Sequence, residues 1–245
     1  MKSLTISQIT GALFILGAVM INIPYMALIA NFDYPDILRQ PAGEVLAAFA
    51  QGGGSLILTW LAFAWTGMPI LLAILLLPKA LGGEKTPLLS LATAFGVIGA
   101  AVQMIGLLRW VFVVPVLAQA YTASGAGEVT KEATIQVFQV FHQFGGVLLG
   151  EHVGQMFTIL WMILVCAEIL RSGLVPRWVG WLGLAAAGIY FLGQGDLLAT
   201  VMPGFPAFGP AALVGSLLWL AWMAALGAFL LFKKAPVTSP LLSQA

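Results

Sequence analysis

Charge is scarce in this sequence: Asp, Glu, Lys and Arg make up 8% of its 245 residues, where soluble globular domains carry about 25%. Too little polar surface exists to clothe a water-soluble globule. A hydrophobic content of 61% and a mean hydropathy of +1.03 point to lipid as the solvent. Neither sign of charge is in excess. The net charge is +1, which leaves no electrostatic case for nucleic acid or an acidic partner. Cysteine occurs once, at Cys166, so an intrachain disulfide is excluded and the thiol reads as a small residue of an apolar run. Histidine occurs twice, at His142 and His152, about 15 Å apart along a helix. The two cannot jointly hold one haem or one metal ion. There is no Cys/His cluster and no His-Glu-x-x-His, so no metal site is expected. Nor is there a Gly-x-Ser-x-Gly elbow, a phosphate loop or a Ser/His/Asp set at one depth. No catalytic residue is assigned, and the balance leans away from an enzyme.

What is present is long apolar runs. A spanning helix needs about 20 mostly apolar residues, and six candidates emerge: 7–31, 55–78, 88–119, 137–170, 178–201 and 211–232. The expected fold is all-α, a six-transmembrane-helix bundle forming one domain over 1–234, with a short disordered tail at 235–245. The first run is too long for a signal-peptide core, and Ala27-Leu28-Ile29-Ala30 is a poor cleavage site, so it is read as a retained helix. The third and fourth runs exceed what a bilayer requires and are expected to tilt or project, with Pro115 as a kink in the third. Gly52-Gly53-Gly54 reads as a flexible entry to the second span, since it lacks the lysine and the strand-to-helix setting of a nucleotide cradle.

Lys and Arg stay preferentially cytoplasmic. Lys2, Lys79, Lys85, Arg171, Arg177, Lys233 and Lys234 fall on one side of a six-span chain, Arg39 and Lys131 on the other. Both termini are therefore expected in the cytoplasm. Trp178 and Trp181 suit the interfacial belt on that side.

Polar residues concentrate on the fourth span. Gly146, Gly150 and Gly154 form a stripe at four-residue spacing where a neighbouring backbone can approach. At about 100° per residue, Gln139 and Gln143 share this stripe, while His152 projects to the far side. Charges inside the bilayer are more telling, because each costs about 2.5–3.5 kcal/mol at mid-membrane. Arg109, Glu151 and Asp196 all lie in apolar spans, each about 27–32 Å from the cytoplasmic boundary at the helical rise. Asn22 and Gln194 fall at a similar level. The expectation is a polar layer toward the outer leaflet, with Arg109 paired to Glu151 or Asp196 through its carboxylate-matching fork. Snorkelling of Arg109 to the headgroups is the structural alternative. The candidate ligand-binding residues are Asn22, Arg109, His142, Glu151, His152, Gln155, Gln194 and Asp196.

From the fourth span onward the chain resembles a bacterial family of multi-pass membrane proteins catalogued as domain of unknown function 4386. The matching residues are Ala167-Glu168-Ile169-Leu170-Arg171-Ser172-Gly173 and Leu174-Val175-Pro176-Arg177-Trp178-Val179-Gly180-Trp181-Leu182-Gly183, and the resemblance is specific around Arg171 to Gly183. It implies the six-span order and a bacterial inner-membrane location, and it transfers no activity. Three readings follow. The first is a protein that binds or moves a small molecule or a proton at the intramembrane polar layer. The second is an accessory or scaffold subunit that docks other membrane subunits through glycine stripes. The third is a redox protein holding quinone, or a haem with one histidine and another axial ligand. Orientation has a direct test in a Cys166→Ala background. With right-side-out vesicles, Gly125→Cys should react with a membrane-impermeant maleimide and Ser172→Cys only after permeabilisation.

Overall fold

The computed structural model describes residues 4–83 and 86–233. Lys2, Lys85, Lys234 and the tail 235–245 lie outside the described residues. Every regular element is helical: α1 (Ile6–Met20), α2 (Asn22–Phe32), a 3-10 turn (Asp36–Arg39), α3 (Ala42–Trp65), α4 (Gly67–Ala80), α5 (Pro87–Phe112) and α6 (Val114–Thr122) come first. Then follow α7 (Glu128–Phe141), a π-helical segment (His142–Val153), α8 (Gly154–Ser172), α9 (Arg177–Leu192), α10 (Gln194–Ala199) and α11 (Pro210–Phe232). End to end they make six rods long and apolar enough to cross a membrane: Ile6–Phe32, Ala42–Ala80, Pro87–Thr122, Glu128–Ser172, Arg177–Ala199 and Pro210–Phe232. These are spans one to six. Large apolar side chains such as Leu16, Leu58, Ile105, Leu148 and Leu217 point outward all round them, as a lipid-facing surface requires.

Short connections make consecutive spans antiparallel neighbours. Span one packs on span six as well as on span two, so the six close into a ring in chain order. Two clusters fill the ring. Near the termini, Phe14, Trp161 and Trp222 meet from spans one, four and six. Toward the opposite end, Phe32, Phe49, Trp60, Trp110 and Phe138 interlock, with Trp60 and Trp110 stacked at 4.8 Å.

Regular α geometry fails where these clusters meet. Proline removes one main-chain donor and presses on the carbonyl one turn back. Span one breaks at Ile21, three residues before Pro24, and span two at Thr66, three before Pro69. Polar side chains take up carbonyls next to these breaks: Asn22 Nδ2 donates to Ala18 O at 2.7 Å and Thr66 Oγ1 to Phe63 O at 2.6 Å. Span five breaks at Gly193, and span four widens into π geometry over His142–Val153. Pro115 does kink span three, after Val113. Gly52-Gly53-Gly54 differs from the flexible entry expected. The chain is helical on both sides of it and turns at Gly53, whose φ of 54° suits a residue without Cβ.

Spans three and four meet most closely at Gly106 and Gly150. A Cβ added to Gly106 would sit 2.5 Å from Gly150 Cα and 2.8 Å from Gly145 O. Gly106→Ala should therefore cost about 1–3 kcal/mol by overpacking, read as a lower melting temperature in detergent. Gly188 on α9 faces open space, so Gly188→Ala should hold or gain up to about 1 kcal/mol from helix propensity.

Candidate functional site

The waist between the clusters holds buried Arg109, Thr158 and Gln194. Arg109, on α5, is 8% exposed and turns into the ring, so the snorkelling alternative does not describe it. Gly146 makes the room, because a Cβ there would collide with Arg109 Nη2 and Cζ. Nη1 donates to Gly106 O at 2.5 Å within its own helix, and the guanidinium carbon lies 5.2 Å from the Trp110 ring centroid. Nε is sealed from solvent without a partner. Arg109 makes no direct ion pair with Glu151 or Asp196. Arg109 and Glu151 nonetheless sit in each other's field, and Glu151, part-buried on the π segment, makes no side-chain hydrogen bond. Tyr34, in the loop after α2, sees the same carboxylate. Burial and that negative charge push its phenol above the usual tyrosine range, so it remains a hydrogen-bond donor.

Next to this pair runs a hydrogen-bonded chain between spans four and five. His152 Nδ1 lies 2.8 Å from Gln194 Oε1, and Gln194 Nε2 donates to Gln155 Oε1 at 2.6 Å. An amide oxygen accepts only, so His152 carries its proton on Nδ1 in this chain. On the span-three side, Gln103 Nε2 donates to Thr158 Oγ1 at 2.8 Å and to Gly154 O at 3.2 Å.

The glycine stripe is therefore divided in its use. Gly150 receives a backbone, whereas Gly146 and Gly154 receive the side chains of Arg109 and Gln103. His152 projects from the side of span four away from the glycine stripe and meets Gln194 on span five, on a segment that π geometry widens. Gln194 is buried. Asp196 is part-buried, with Oδ1 unpartnered. His142 stacks on Phe138 at 5.5 Å with Nδ1 buried and unpartnered. It lines an open cleft of about 750 Å³, together with Arg39, Gln40, Gln139, Gln143 and Thr200. Asn22 is exposed and folded back on its own helix, so the structure does not bring it to the others. Gln103 and Tyr34 escaped the sequence reading, and Arg39 entered it only as a charge on the outer side. Gln103 had a signal, since Gly96, Gly99 and Gly106 put it in a second small-residue stripe. Among the described residues no group of three His, Cys, Asp or Glu side chains is placed to hold a metal ion.

Six apolar helices closed in a ring around a polar waist define a multi-pass membrane protein of all-α class. Residues 9–233 match the family described as domain of unknown function DUF4386, and the chain belongs to it. Neither the curated proteins nor the solved structures give a match.

Two measurements test the waist. Gln194→Leu strands His152 Nδ1–H and Gln155 Oε1, which should cost about 1–2 kcal/mol of stability in detergent. A double-mutant cycle of Arg109→Gln and Glu151→Gln should show a coupling of about 1 kcal/mol. Additive effects would mean that the two charges act independently.

Proposed function

We propose that this protein binds a small molecule at the polar waist and moves it, or a proton, across the membrane. The carrying observation is Arg109: a buried guanidinium with one backbone acceptor, an unpartnered Nε and no ion pair. Intramembrane ionisable residues are expensive to bury and mark ligand or ion pathways by default. Irregular helix geometry at membrane depth is tolerated where it is packed in protein or lines a cavity, and discontinuous spans surround the substrate sites of many transporters. Broken spans one, two and five and the π segment of span four all adjoin this waist.

Orientation follows the positive-inside bias. Lys79, Arg171, Arg177 and Lys233 sit at the end bearing the termini, which we place in the cytoplasm of a bacterial inner membrane. The cleft at His142 then opens outside. Arg39 at its rim and Gln40, Gln139 and Gln143 on its walls give a polar ligand a wet approach from that side.

Purified protein tests this by ligand-dependent thermal shift and by proteoliposome flux. Compounds that stabilise the unmutated protein should lose their effect with Arg109→Ala and with Glu151→Gln. Flux and thermal shift unchanged in both variants would overturn the reading.

A further inference from the structure

We propose that the ligand of the waist is a small monocarboxylate taken up with one proton, the carboxylate on Arg109 and the proton on Glu151. This rests on the reading that the waist binds a small molecule, and adds the ligand's class and its coupling.

Arg109 has five N–H bonds, and its one hydrogen bond goes to Gly106 O. Nε is sealed and unpartnered, and Nη2 has no partner either. A planar fork of unspent donors in apolar surroundings matches the two in-plane oxygens of a carboxylate. Gly146 leaves room that the guanidinium itself fills, and the cleft comes toward it at His142 and Phe138, whose rings lie against the Trp110 ring beside Arg109.

Charge balance then requires the proton. At rest buried Arg109, positive, and part-buried Glu151, negative, sum to zero without touching. A monocarboxylate on Arg109 adds a second negative charge in a low-dielectric interior, where an uncompensated charge is strongly disfavoured. A proton from hydronium in the aqueous phase, whose O–H bond breaks to leave water, forms an O–H bond on Glu151 and restores neutrality. No other bond changes, and the carboxylic acid gains a donor.

Groups facing Glu151 do not do this instead. Arg39, on the first loop, also acts on Glu151, but it is exposed and its charge is screened by salt. Tyr34 and Tyr190 lie in the Glu151 field from the first loop and α9, and a phenol bears no charge at neutral pH. Asp196, on α10 against the π segment, adds no positive charge. His152 donates Nδ1–H to Gln194 and can take a proton only at Nε2, so loss of proton uptake in Glu151→Gln is what assigns the proton to Glu151.

The test is isothermal titration of the purified protein with sodium acetate, butyrate and benzoate at pH 7.5, in two buffers of different ionisation enthalpy. Butyramide and butylamine serve as controls. The expected result is binding of at least one acid, neither control, and uptake of about one proton per acid bound. Affinity should rise about tenfold for each unit the pH is lowered toward 6.5. Glu151→Gln should bind with no proton uptake and a flat pH profile, and Arg109→Lys should bind at least tenfold more weakly by losing the fork. Because the proton count is taken on the unmutated protein, it decides the coupling even if a variant fails to fold. Binding without proton uptake, binding of the amide as tight as that of the acid, or no binding by any acid overturns the proposal. If some other compound stabilises the protein in a way that depends on Arg109 and Glu151, only the carboxylate assignment falls. If no compound of any class does so and no flux appears, the waist reading falls with it.

Discussion

The structure turns on one constraint: a guanidinium must sit inside an apolar ring of helices without a carboxylate in contact with it. Lipid offers no hydrogen bonds, so Arg109 has to be housed by protein. Span four gives up a side chain at Gly146 to accommodate it. Trp110 offers a ring face, and the α5 carbonyl of Gly106 accepts one donor. Gly106 serves twice, as that acceptor and as the point where α5 meets Gly150. Removing side chains from one stripe thus does two jobs, letting two helices approach and leaving a recess for a charged group.

The same constraint explains why the ring has two aromatic clusters rather than one continuous core. Aromatic packing fills the end near the termini through Trp161 and Trp222, and the opposite end through Trp60 and Trp110. Between them lie Gln103, Arg109, Glu151, His152, Gln155 and Gln194. Backbone irregularity collects at this level because broken helices release carbonyls that need polar neighbours. Asn22 and Thr66 answer that need at the breaks of spans one and two. Buried polar groups and broken helices support one another, since each would be costly alone in an apolar bundle.

Span four carries most of the chemistry. Its π segment is rich in glycine, at Gly145, Gly146 and Gly150, and also holds His142, Glu151 and His152. Such widened helix is seen mostly in short pieces near functional sites. Here it runs over 12 residues and lets His152 reach Gln194 while Glu151 stays in the field of Arg109. Adjacent side chains on a helix diverge by about 100°, and here Glu151 and His152 serve different neighbours.

Six apolar runs separated by charged or Pro/Gly-containing gaps settled the class and the number of spans, because the length of an apolar run is a direct reading of bilayer thickness. The breaks of spans one and two were also written locally, in Pro24 and Pro69, and the stripe of Gly146, Gly150 and Gly154 gave away the face that meets span three. The level shared by Arg109, Glu151 and Asp196 came from counting residues along rods of known rise. Which of these groups touch was decided only by tertiary structure. Ring closure of span one on span six and the phase slip of the π segment are set by packing among distant residues, and no local pattern encodes them. They leave Arg109 without the carboxylate partner that its depth suggested, and they join His152 and Gln155 of span four to Gln194 of span five.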